Sequence, residues 1–293
     1  MLYCNNRHMM YRQDETHSRD KLILNLLFLV NPLRARSCSH CTCITRYYLV
    51  SDLLGSTTTM IKLKNVTVGY QGERLTHPIS GSFAQGSLTA IMGANGAGKS
   101  TLLKTLCGLL PALSGQIEFS QPRKMALSWL PQQSDIDRSF PITVFDVVAM
   151  GCWPNTGILR SIKRNDIERI YAAMEQVGIA NLANYTVSQL SGGQFQRMLF
   201  ARLLVQDTAI MFMDEPFAGI DSQTQEALLS LICQLHQQGK TIVTVLHNPT
   251  IVEAYFPQTL LINQQCVHWG ETKQVLASCS LYDSPMKMAL NFG

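Results

Sequence analysis

Residues 88–106 read LTAIMGANGAGKSTLLKTL, and this stretch decides the fold. Leu88–Met92 is a short, almost wholly apolar run, as expected of a parallel strand that is buried on both faces. It leads directly into the loop GANGAGKST, which has the form GxxxxGK[ST], and then into a helical pattern over Ser100–Leu106. A strand, a glycine-rich loop and a helix in this order predict the first unit of an α/β domain whose loop wraps phosphate.

This loop is a candidate site for ATP and Mg²⁺. Glycines let successive backbone N–H groups point inward around the phosphates, Lys99 can reach the β- and γ-phosphates, and the Ser100 hydroxyl can bind Mg²⁺. The alternative is a glycine turn that only caps a helix, and the agreement of strand, loop and helix argues against it. The expected nucleotide-binding residues are Gly93, Ala94, Asn95, Gly96, Ala97, Gly98, Lys99, Ser100 and Thr101.

Two further apolar runs end at residues that can carry chemistry. Ala209–Met213 is followed by Asp214 and Glu215, and Thr241–Leu246 is followed by His247. Ligands bind beyond the carboxyl ends of parallel strands, so these side chains are expected beside the phosphate loop. Because neighbouring residues at a strand's end point to opposite faces, Asp214 can serve the metal while Glu215 orients and deprotonates water. Without the phosphate loop, a solvated strand end would explain the two acids equally well.

A second candidate phosphate site is the sequence LSGGQ, Leu190–Gln194. Ser191 and Gln194 also fit an ordinary capping box, so a plain helix start is the alternative. Gly192 and Gly193 would then stand in the first turn, where each costs roughly 1 kcal/mol relative to alanine. That cost suggests that something approaches the backbone closely, and a helix N-terminus with a serine hydroxyl suits a γ-phosphate.

The two phosphate sites cannot both act on one nucleotide within one chain. We therefore expect the chain to work as half of a pair of two copies, with ATP between Lys99 of one copy and Ser191 of the other.

The pattern of strands and helices predicts an α/β fold. Met60 opens the alternating stretch IKLKNVTV, and short apolar strands then alternate with helical patterns, which is typical of a parallel sheet covered by helices. The fold class is a P-loop NTPase core with a mostly parallel sheet, an antiparallel β subdomain at the N-terminal side, and an inserted helical subdomain at about residues 133–190.

One helix of the inserted subdomain is predicted in detail. Asn165 can cap it, with Glu168 three residues further on as in a capping box, and Gly178 ends it. Its apolar stripe is expected to consist of Ile167, Ile170, Tyr171, Met174 and Val177.

The ends of the chain carry weaker patterns. Residues 1–59 are expected to be a poorly structured extension, or one that is not made in the cell, and 60–270 the ATPase domain. Residues 271–293 are expected to form a tail with a short helix near Lys273–Ala277. The cluster CSHCTC, with Cys38, His40, Cys41 and Cys43, could hold a metal, but four ligands within six residues rarely close a tetrahedron.

Composition excludes several classes of protein. Residues 1–59 hold seven Lys/Arg and four Asp/Glu, so this segment carries +3 of the total charge of +4 and the remainder carries +1. Nucleic-acid binding is therefore not expected.

The apolar run Leu22–Val30 is about half the ~20 residues that a membrane helix needs. No AxA-like cleavage site follows it, which argues against a secretion signal. Nine cysteines, an odd number, are expected to be reduced thiols.

With these motifs, about residues 60–280 resemble the nucleotide-binding subunits of ABC transporters. The resemblance implies that Ser191, Gly192, Gly193 and Gln194 of one subunit close over ATP held by another. It implies that Tyr70 stacks on adenine, that Gln132 reaches Mg²⁺ and water and reports to the membrane subunits, that Asp221 links the two active sites, and that His247 contacts the γ-phosphate. One departure is that Asn248 and Pro249 follow His247, where the family usually has Asp after the histidine.

A narrower resemblance is to the ATPase subunits of zinc and manganese importers. It is carried by SFPITVFDVVAMG (139–151), PFAGID (216–221), YFPQTLLI (255–262) and the HWGET that follows. Just past Gln132 lies a group of apolar residues, in the region where the family docks its membrane partner. This group forms either the core of the helical subdomain or part of the docking face. Its members are Phe140, Pro141, Ile142, Val144 and Phe145.

The resemblance implies an ATP-hydrolysing subunit of an importer for a divalent transition metal, with zinc preferred over manganese. Its expected partners are a second copy of itself, an integral membrane permease and, through the permease, an extracytoplasmic metal-binding protein. The expected location is the cytoplasmic side of the membrane. Alternatives are another cargo such as an iron chelate, export, or a soluble ABC ATPase in translation or DNA repair, which would usually carry two cassettes or a long coiled coil.

Overall fold

A computed structural model describes residues 59–70, 72–120, 127–157, 161–263 and 266–280. The expected extension up to residue 58, its CSHCTC cluster and residues 281–293 lie outside the described residues. The described chain divides into two compact units. A helical unit consists of Pro131–Asp207 and Phe217–Thr224, and a sheet unit consists of the described residues up to Leu130, of Thr208–Pro216 and of those from Gln225 onward.

All strands of the described chain belong to the sheet unit. In chain order they are β1 (Thr59–Thr67), β2 (Gly69–Tyr70), β3 (Glu73–Arg74), β4 (Ile79–Ala84), β5 (Leu88–Gly93), β6 (Ser114–Phe119), β7 (Leu127–Leu130), β8 (Ile210–Asp214), β9 (Thr241–Val245), β10 (Gln258–Ile262) and β11 (Val267–Glu271).

The helices are spread over both units. In chain order they are α1 (Lys99–Leu106), α2 (Val144–Ala149), α3 (Trp153–Thr156), α4 (Arg164–Gln176), α5 (Gly192–Gln206), α6 (Ser222–Gln237), α7 (Pro249–Tyr255) and α8 (Thr272–Ser280), with short 3-10 turns between them. None of these described helices is long and apolar enough to cross a membrane.

The main sheet has six strands in the order β11-β10-β5-β9-β8-β7. Every pairing is parallel except that of the edge strand β11. The central strands β8 and β9 are buried at every position, which explains their continuous apolar sequences. Ile91 pairs with Val245, and Val245 pairs with Asp214, so β5, β9 and β8 end at the same edge of the sheet.

A smaller antiparallel sheet precedes it, in the order β4-β1-β6. In β1, Ile61 and Leu63 are buried while Lys62 and Lys64 are exposed, as the alternating sequence predicts. α1 buries Leu102, Leu103 and Leu106 in the same core cluster as β1 and β5. The predicted fold class, a P-loop NTPase core with a mostly parallel sheet and an antiparallel part at its N-terminal side, is confirmed.

The helical unit differs from expectation in its details. It extends beyond residue 190 to Asp207, because α5 packs against α2 and α4. α4 begins at Arg164, and its capping residue is Lys163, whose N–H donates to the Asp166 carboxylate, so the expected cap at Asn165 is wrong.

The apolar stripe of α4 is narrower than the sequence suggests. Ile170, Met174 and Val177 are buried, whereas Ile167 and Tyr171 are 39% and 40% exposed.

Regular structure continues past the expected boundary at residue 270. β11 ends at Glu271, and α8 follows it directly to Ser280. Thr272 and Val275 are buried, and the Thr272 hydroxyl donates to the Phe256 carbonyl. These contacts attach α8 to the sheet unit.

Gly81 of β4 should resist replacement because of Trp269. A Cβ at Gly81 would lie 2.4 Å from Trp269 Cε3, and that ring packs on Phe83 with centroids 4.6 Å apart. We expect Gly81→Ala to lower the free energy of unfolding by roughly 1 to 3 kcal/mol, the usual cost of overpacking. Urea denaturation followed by tryptophan fluorescence measures this.

Gly270→Ala is the matched control for that substitution. A Cβ at Gly270 would meet only Val275 Cγ2, at 3.8 Å, which is an ordinary contact. Its unfolding midpoint should stay near that of the wild type, and a Gly81→Ala midpoint equal to both would contradict the packing argument.

Candidate nucleotide site

The phosphate loop requires glycine at two of its positions. Gly93 has φ 148° and pairs with Ile262 of β10, and a Cβ there would lie 2.1 Å from the Ile262 carbonyl oxygen. Gly98, the capping residue of α1, has φ 88°, and a Cβ there would lie 2.9 Å from Thr76 Cγ2. The loop is therefore fixed against the sheet at one end and against the segment after β3 at the other.

Lys99 is held inside the loop that it follows. It is 5% exposed, and its Nζ donates to the carbonyl oxygens of Gly93 at 2.9 Å and Ala94 at 2.8 Å. Burial lowers the pKa of Lys99, while the carboxylates of Glu215 and Asp214 oppose that shift. An anionic ligand in the loop would favour the charged ammonium in the same way as those carboxylates.

Ser100 and Asp214 are suited to hold a magnesium ion. The Ser100 hydroxyl donates to Asp214 Oδ1 at 3.0 Å, and Asp214 is 1% exposed. Adjacent ligands of an octahedral Mg²⁺, each about 2.1 Å from the ion, lie about 3.0 Å apart, and Mg²⁺ prefers such oxygen donors. The spacing and chemistry of these two oxygens therefore fit the ion.

Glu215 and His247 lie together at the edge where β8 and β9 end. Glu215 has φ 48°, a left-handed conformation that is uncommon outside glycine. Its Oε1 lies 2.6 Å from His247 Nε2. Asn248, the departure from the family pattern, caps α7 by accepting hydrogen bonds from the N–H groups of Thr250 and Ile251.

Tyr70 ends β2 and is 61% exposed. It pairs with Glu73 in the two-residue ribbon β2–β3. The segment after this ribbon contacts the phosphate loop, because Leu75 and Thr76 are the nearest neighbours of Gly98. An exposed ring beside the loop has room for a base to stack on it.

The LSGGQ sequence begins α5 with a complete capping box. Ser191 Oγ accepts from the Gln194 N–H at 3.2 Å, and Gln194 Oε1 accepts from the Ser191 N–H at 2.9 Å. Helix geometry leaves the N–H groups of Gly192 and Gly193 without an intrahelical acceptor. These two N–H groups and the Ser191 hydroxyl together have the chemistry of an anion site.

The paired glycines have a reason within the chain itself. A Cβ at Gly192 would lie 3.0 Å from the Gly219 carbonyl oxygen, and a Cβ at Gly193 would lie 3.3 Å from Asp221 Oδ2. The close approach inferred from the sequence is therefore made by residues 217–224 of the same unit. The glycines by themselves are no evidence for a ligand.

Asp221 caps the start of α6. Its Oδ1 accepts from the Thr224 N–H and its Oδ2 from the Thr224 hydroxyl, both at 2.8 Å. These two hydrogen bonds, the backbone one first, lower the pKa of Asp221. Arg197 of α5 donates to the same hydroxyl at 2.9 Å, so Thr224 joins α5 to the loop that carries Asp221.

Polar residues that follow Gln132 make contacts that the sequence does not predict. Gln132 is half-buried at the start of the helical unit. Its neighbour Gln133 donates to the Gly192 carbonyl oxygen and to Gln196 Oε1, and Arg138 donates to Gln133 Oε1. Gln133 and Arg138 gave no signal in the sequence, since polar residues in a short loop are usually solvated.

The structure brings the expected site residues together in two groups. The sheet unit holds the phosphate loop, Asp214, Glu215 and His247 at one sheet edge, with Tyr70 on the adjoining ribbon. The helical unit holds Gln132 and Asp221, and with them the capping box of Ser191, Gly192, Gly193 and Gln194.

This arrangement defines a P-loop nucleotide-binding domain, and its relatives identify the family. The profile of the ABC transporter family matches residues 76–218. The manganese transport system ATP-binding protein MntB of Bacillus subtilis is 40% identical over 219 residues, 73% of this chain and 88% of that protein. The zinc transport system ATP-binding protein TroB of Treponema pallidum is 40% identical over 223 residues, 74% of this chain and 83% of that protein.

Solved structures agree with these relatives. A metal-chelate type ABC transporter in an inward-facing conformation is 31% identical, with a TM-score of 0.68, over 75% of this chain and 86% of that one. A dimeric bacterial ABC transporter cassette is 25% identical, with a TM-score of 0.64, over 73% of this chain and 99% of that one. The chain belongs to the ATP-binding subunits of the ABC transporter family and is an ATPase.

Proposed function

We propose that this ATPase powers the import of manganese or zinc through a separate membrane permease. The observation that carries the proposal is the 40% identity, over about three quarters of the chain, to one relative named for manganese and another named for zinc. The two identities are equal, so the proposal covers both metals. An ATPase subunit acts on ATP rather than on the cargo, and the described site accordingly has the chemistry of a nucleotide site.

In the proposed mechanism the phosphate loop binds the nucleotide by its backbone N–H groups. Lys99 exchanges its two carbonyl acceptors for phosphate oxygens. Ser100 and Asp214 would hold Mg²⁺, which would supply positive charge to offset that of the phosphates. Thr101 and the glycines complete the cradle, and Tyr70 stacks on the base.

Glu215 is the proposed general base. It takes a proton from the water that attacks the γ-phosphorus, and the bond from that phosphorus to the bridging oxygen breaks as the new P–O bond forms. His247 Nε2 lies 2.6 Å from Glu215 Oε1. To contact the γ-phosphate, Nε2 must either rotate away from Glu215 or share its hydrogen between the carboxylate and the phosphate. His247 thus has two alternative partners, the base and the phosphate. By the family resemblance, Gln132 is proposed to contact Mg²⁺ and water.

Replacing Glu215 tests this role. Glu215→Gln keeps the shape of the side chain but removes the base, so ATP binding should be retained while hydrolysis falls by at least about 10²-fold. Phosphate release at saturating ATP, beside equilibrium nucleotide binding, measures the two effects separately. Asp207→Asn is the matched control and should keep its activity, because Asp207 is the other acidic residue with positive φ in the described part of the chain. Near-normal turnover of Glu215→Gln would refute the role.

The second phosphate site is proposed to act on ATP held by another copy of the chain. The capping box leaves the N–H groups of Gly192 and Gly193 and the Ser191 hydroxyl to a ligand, and Asp221 lies against the same turn. A head-to-tail pair then contains two shared sites, each closed by ATP and opened by hydrolysis. The likeness to a dimeric ABC transporter cassette supports this arrangement.

Mixing two inactive variants tests whether the sites are shared. Lys99→Ala damages the phosphate loop and Ser191→Arg blocks the second site, so each variant alone should have little ATPase activity. A mixed dimer contains one doubly damaged site and one intact site, so activity should reappear on mixing and be highest at equal amounts. A mixture whose activity is only the average of the two separate proteins would contradict shared sites.

An apolar surface of the helical unit is proposed to bind the permease. Phe140 is 38% and Tyr185 49% exposed, and the ring of Phe145 packs on that of Tyr171, with centroids 5.5 Å apart. Val144 is fully buried and belongs to the core instead. The proposed partner is a helix of the permease, which would hold the ATPase at the cytoplasmic side of the membrane, and the permease would receive metal from an extracytoplasmic binding protein.

Metal uptake by a deletion strain tests the cargo. Loss of the gene should lower cellular manganese or zinc, and growth under starvation for that one metal should fail until the wild-type gene, but not the Glu215→Gln gene, is restored. Elemental analysis of cells measures both metals together with iron. The likeness to a metal-chelate type transporter makes a ferric chelate the second candidate. Normal manganese and zinc contents with low iron would favour that candidate and overturn the proposed cargo.

A further inference from the structure

We propose that Gln133 and Arg138 are positioning residues, which aim the backbone of the second phosphate site at its ligand. This inference rests on the proposed function, because it concerns how the site at the start of α5 is oriented. Both residues lie in the segment directly after Gln132, within the helical unit, and neither belongs to the LSGGQ sequence.

A chain of three hydrogen bonds connects that segment to the first turn of α5. Arg138 Nη2 donates to Gln133 Oε1 at 2.7 Å. Gln133 Nε2 donates to Gln196 Oε1 at 2.8 Å and to the Gly192 carbonyl oxygen at 3.3 Å. Each atom of the Gln133 amide therefore has a partner.

The guanidinium of Arg138 fixes the direction of all three hydrogen bonds. An amide side chain can usually be turned over, since its oxygen and nitrogen have similar shapes. A guanidinium can only donate, so Gln133 must present its oxygen to Arg138 and its nitrogen to α5. Gln196 is 1% exposed and must then present its oxygen to Gln133, which leaves its own Nε2 buried without an acceptor among the described residues.

Arg138 is held in place by a residue of α5. Its Cζ lies 3.9 Å above the centre of the Phe195 ring, and Phe195 is fully buried. Burial lowers the pKa of Arg138, which nevertheless stays a cation at every physiological pH. A cation over a buried ring is a favourable and directional contact. The guanidinium is thus fixed by Phe195 of α5 while it orients Gln133.

The hydrogen bond to the Gly192 carbonyl acts on the site through one peptide plane. In a trans peptide, the carbonyl of Gly192 and the N–H of Gly193 lie in one rigid plane and point in opposite directions. Whatever holds the carbonyl therefore sets the direction of the N–H. The Gly193 N–H is one of the two N–H groups that the capping box leaves to a ligand, and glycine has no side chain to restrict this plane.

Gln133 consequently joins the Gln132 segment to the phosphate-binding turn. A displacement of residues 132–138 would rotate the Gly192–Gly193 peptide and redirect a donor intended for the γ-phosphate. The effect should appear where two copies close on ATP and be absent where a single copy binds ATP by its own phosphate loop.

The experiment measures ATP-driven dimerisation in the Glu215→Gln protein with Mg²⁺. Gln133→Glu keeps the shape and the acceptor for Arg138 but loses the donor and places a carboxylate beside the Gly192 carbonyl. Gln133→Met removes the hydrogen bonds without adding charge. The ATP concentration for half-maximal dimerisation, from analytical ultracentrifugation, should rise at least about fivefold with Met and further with Glu, the scale of one lost hydrogen bond at each of two sites.

Gln189→Glu is the matched control. Gln189 in the same unit uses only its Oε1, which accepts from the N–H and hydroxyl of Thr186, and a carboxylate can do the same. This variant should dimerise like the parent protein. One further readout should not change in the Gln133 variants, which is the affinity of the dilute monomer for a fluorescent ATP analogue. Their urea midpoint of unfolding should fall modestly, because the buried Gln196 Oε1 loses its donor.

The outcomes separate this inference from the proposed function. Dimerisation of both Gln133 variants at the parent's ATP concentration would overturn the positioning role and leave the shared site intact. A parent protein that binds ATP but never dimerises would overturn the shared site and this inference with it. A weaker affinity of the dilute monomer for the ATP analogue in both variants would make the role of Gln133 structural and refute the proposal.

Discussion

The parallel pairing of β5, β9 and β8 is the constraint on which the site depends. Val245 pairs with Ile91 on one side and with Asp214 on the other, so the three strands end in register and the residues at and just beyond their ends lie close together. Lys99 enters this group through α1, whose buried leucines attach it to the same core. The result is an ammonium, two carboxylates, an imidazole and a hydroxyl at one edge of an apolar sheet, where their interactions are stronger than in water.

In the helical unit, the corresponding feature is the set of contacts that fixes the first turn of α5. A capping box, two glycines and the loop of residues 217–224 surround the first turn of α5, and each contact uses backbone or short polar side chains. Thr224 receives Arg197 from one side and bonds Asp221 on the other, while Gln133 reaches the Gly192 carbonyl. These contacts fix the turn, and the capping box uses the N–H groups of Ser191 and Gln194 rather than those of Gly192 and Gly193.

The motif-bearing elements could be predicted closely from the sequence because their patterns are local. The strand, loop and helix at residues 88–106 agree with β5 and α1 to within one residue, and the acids after β8 and the histidine after β9 reach the same edge. Boundaries set by tertiary contacts were predicted less well. The cap of α4 is Lys163 rather than Asn165, because Asp166 returns the bond that Glu168 was expected to make.

The sequence by itself determined the fold class, the phosphate loop and the side chains at the strand ends, because a buried parallel strand and a glycine-rich loop each require particular residues in a short span. Only the tertiary structure decided why Gly192 and Gly193 are glycines, what Asp221 bonds, and that Gln133 reaches the first turn of α5. Gly193 and Asp221 are 28 positions apart and Gln133 and Gln196 are 63 apart, and polar side chains in loops leave no periodic trace of such distant partners.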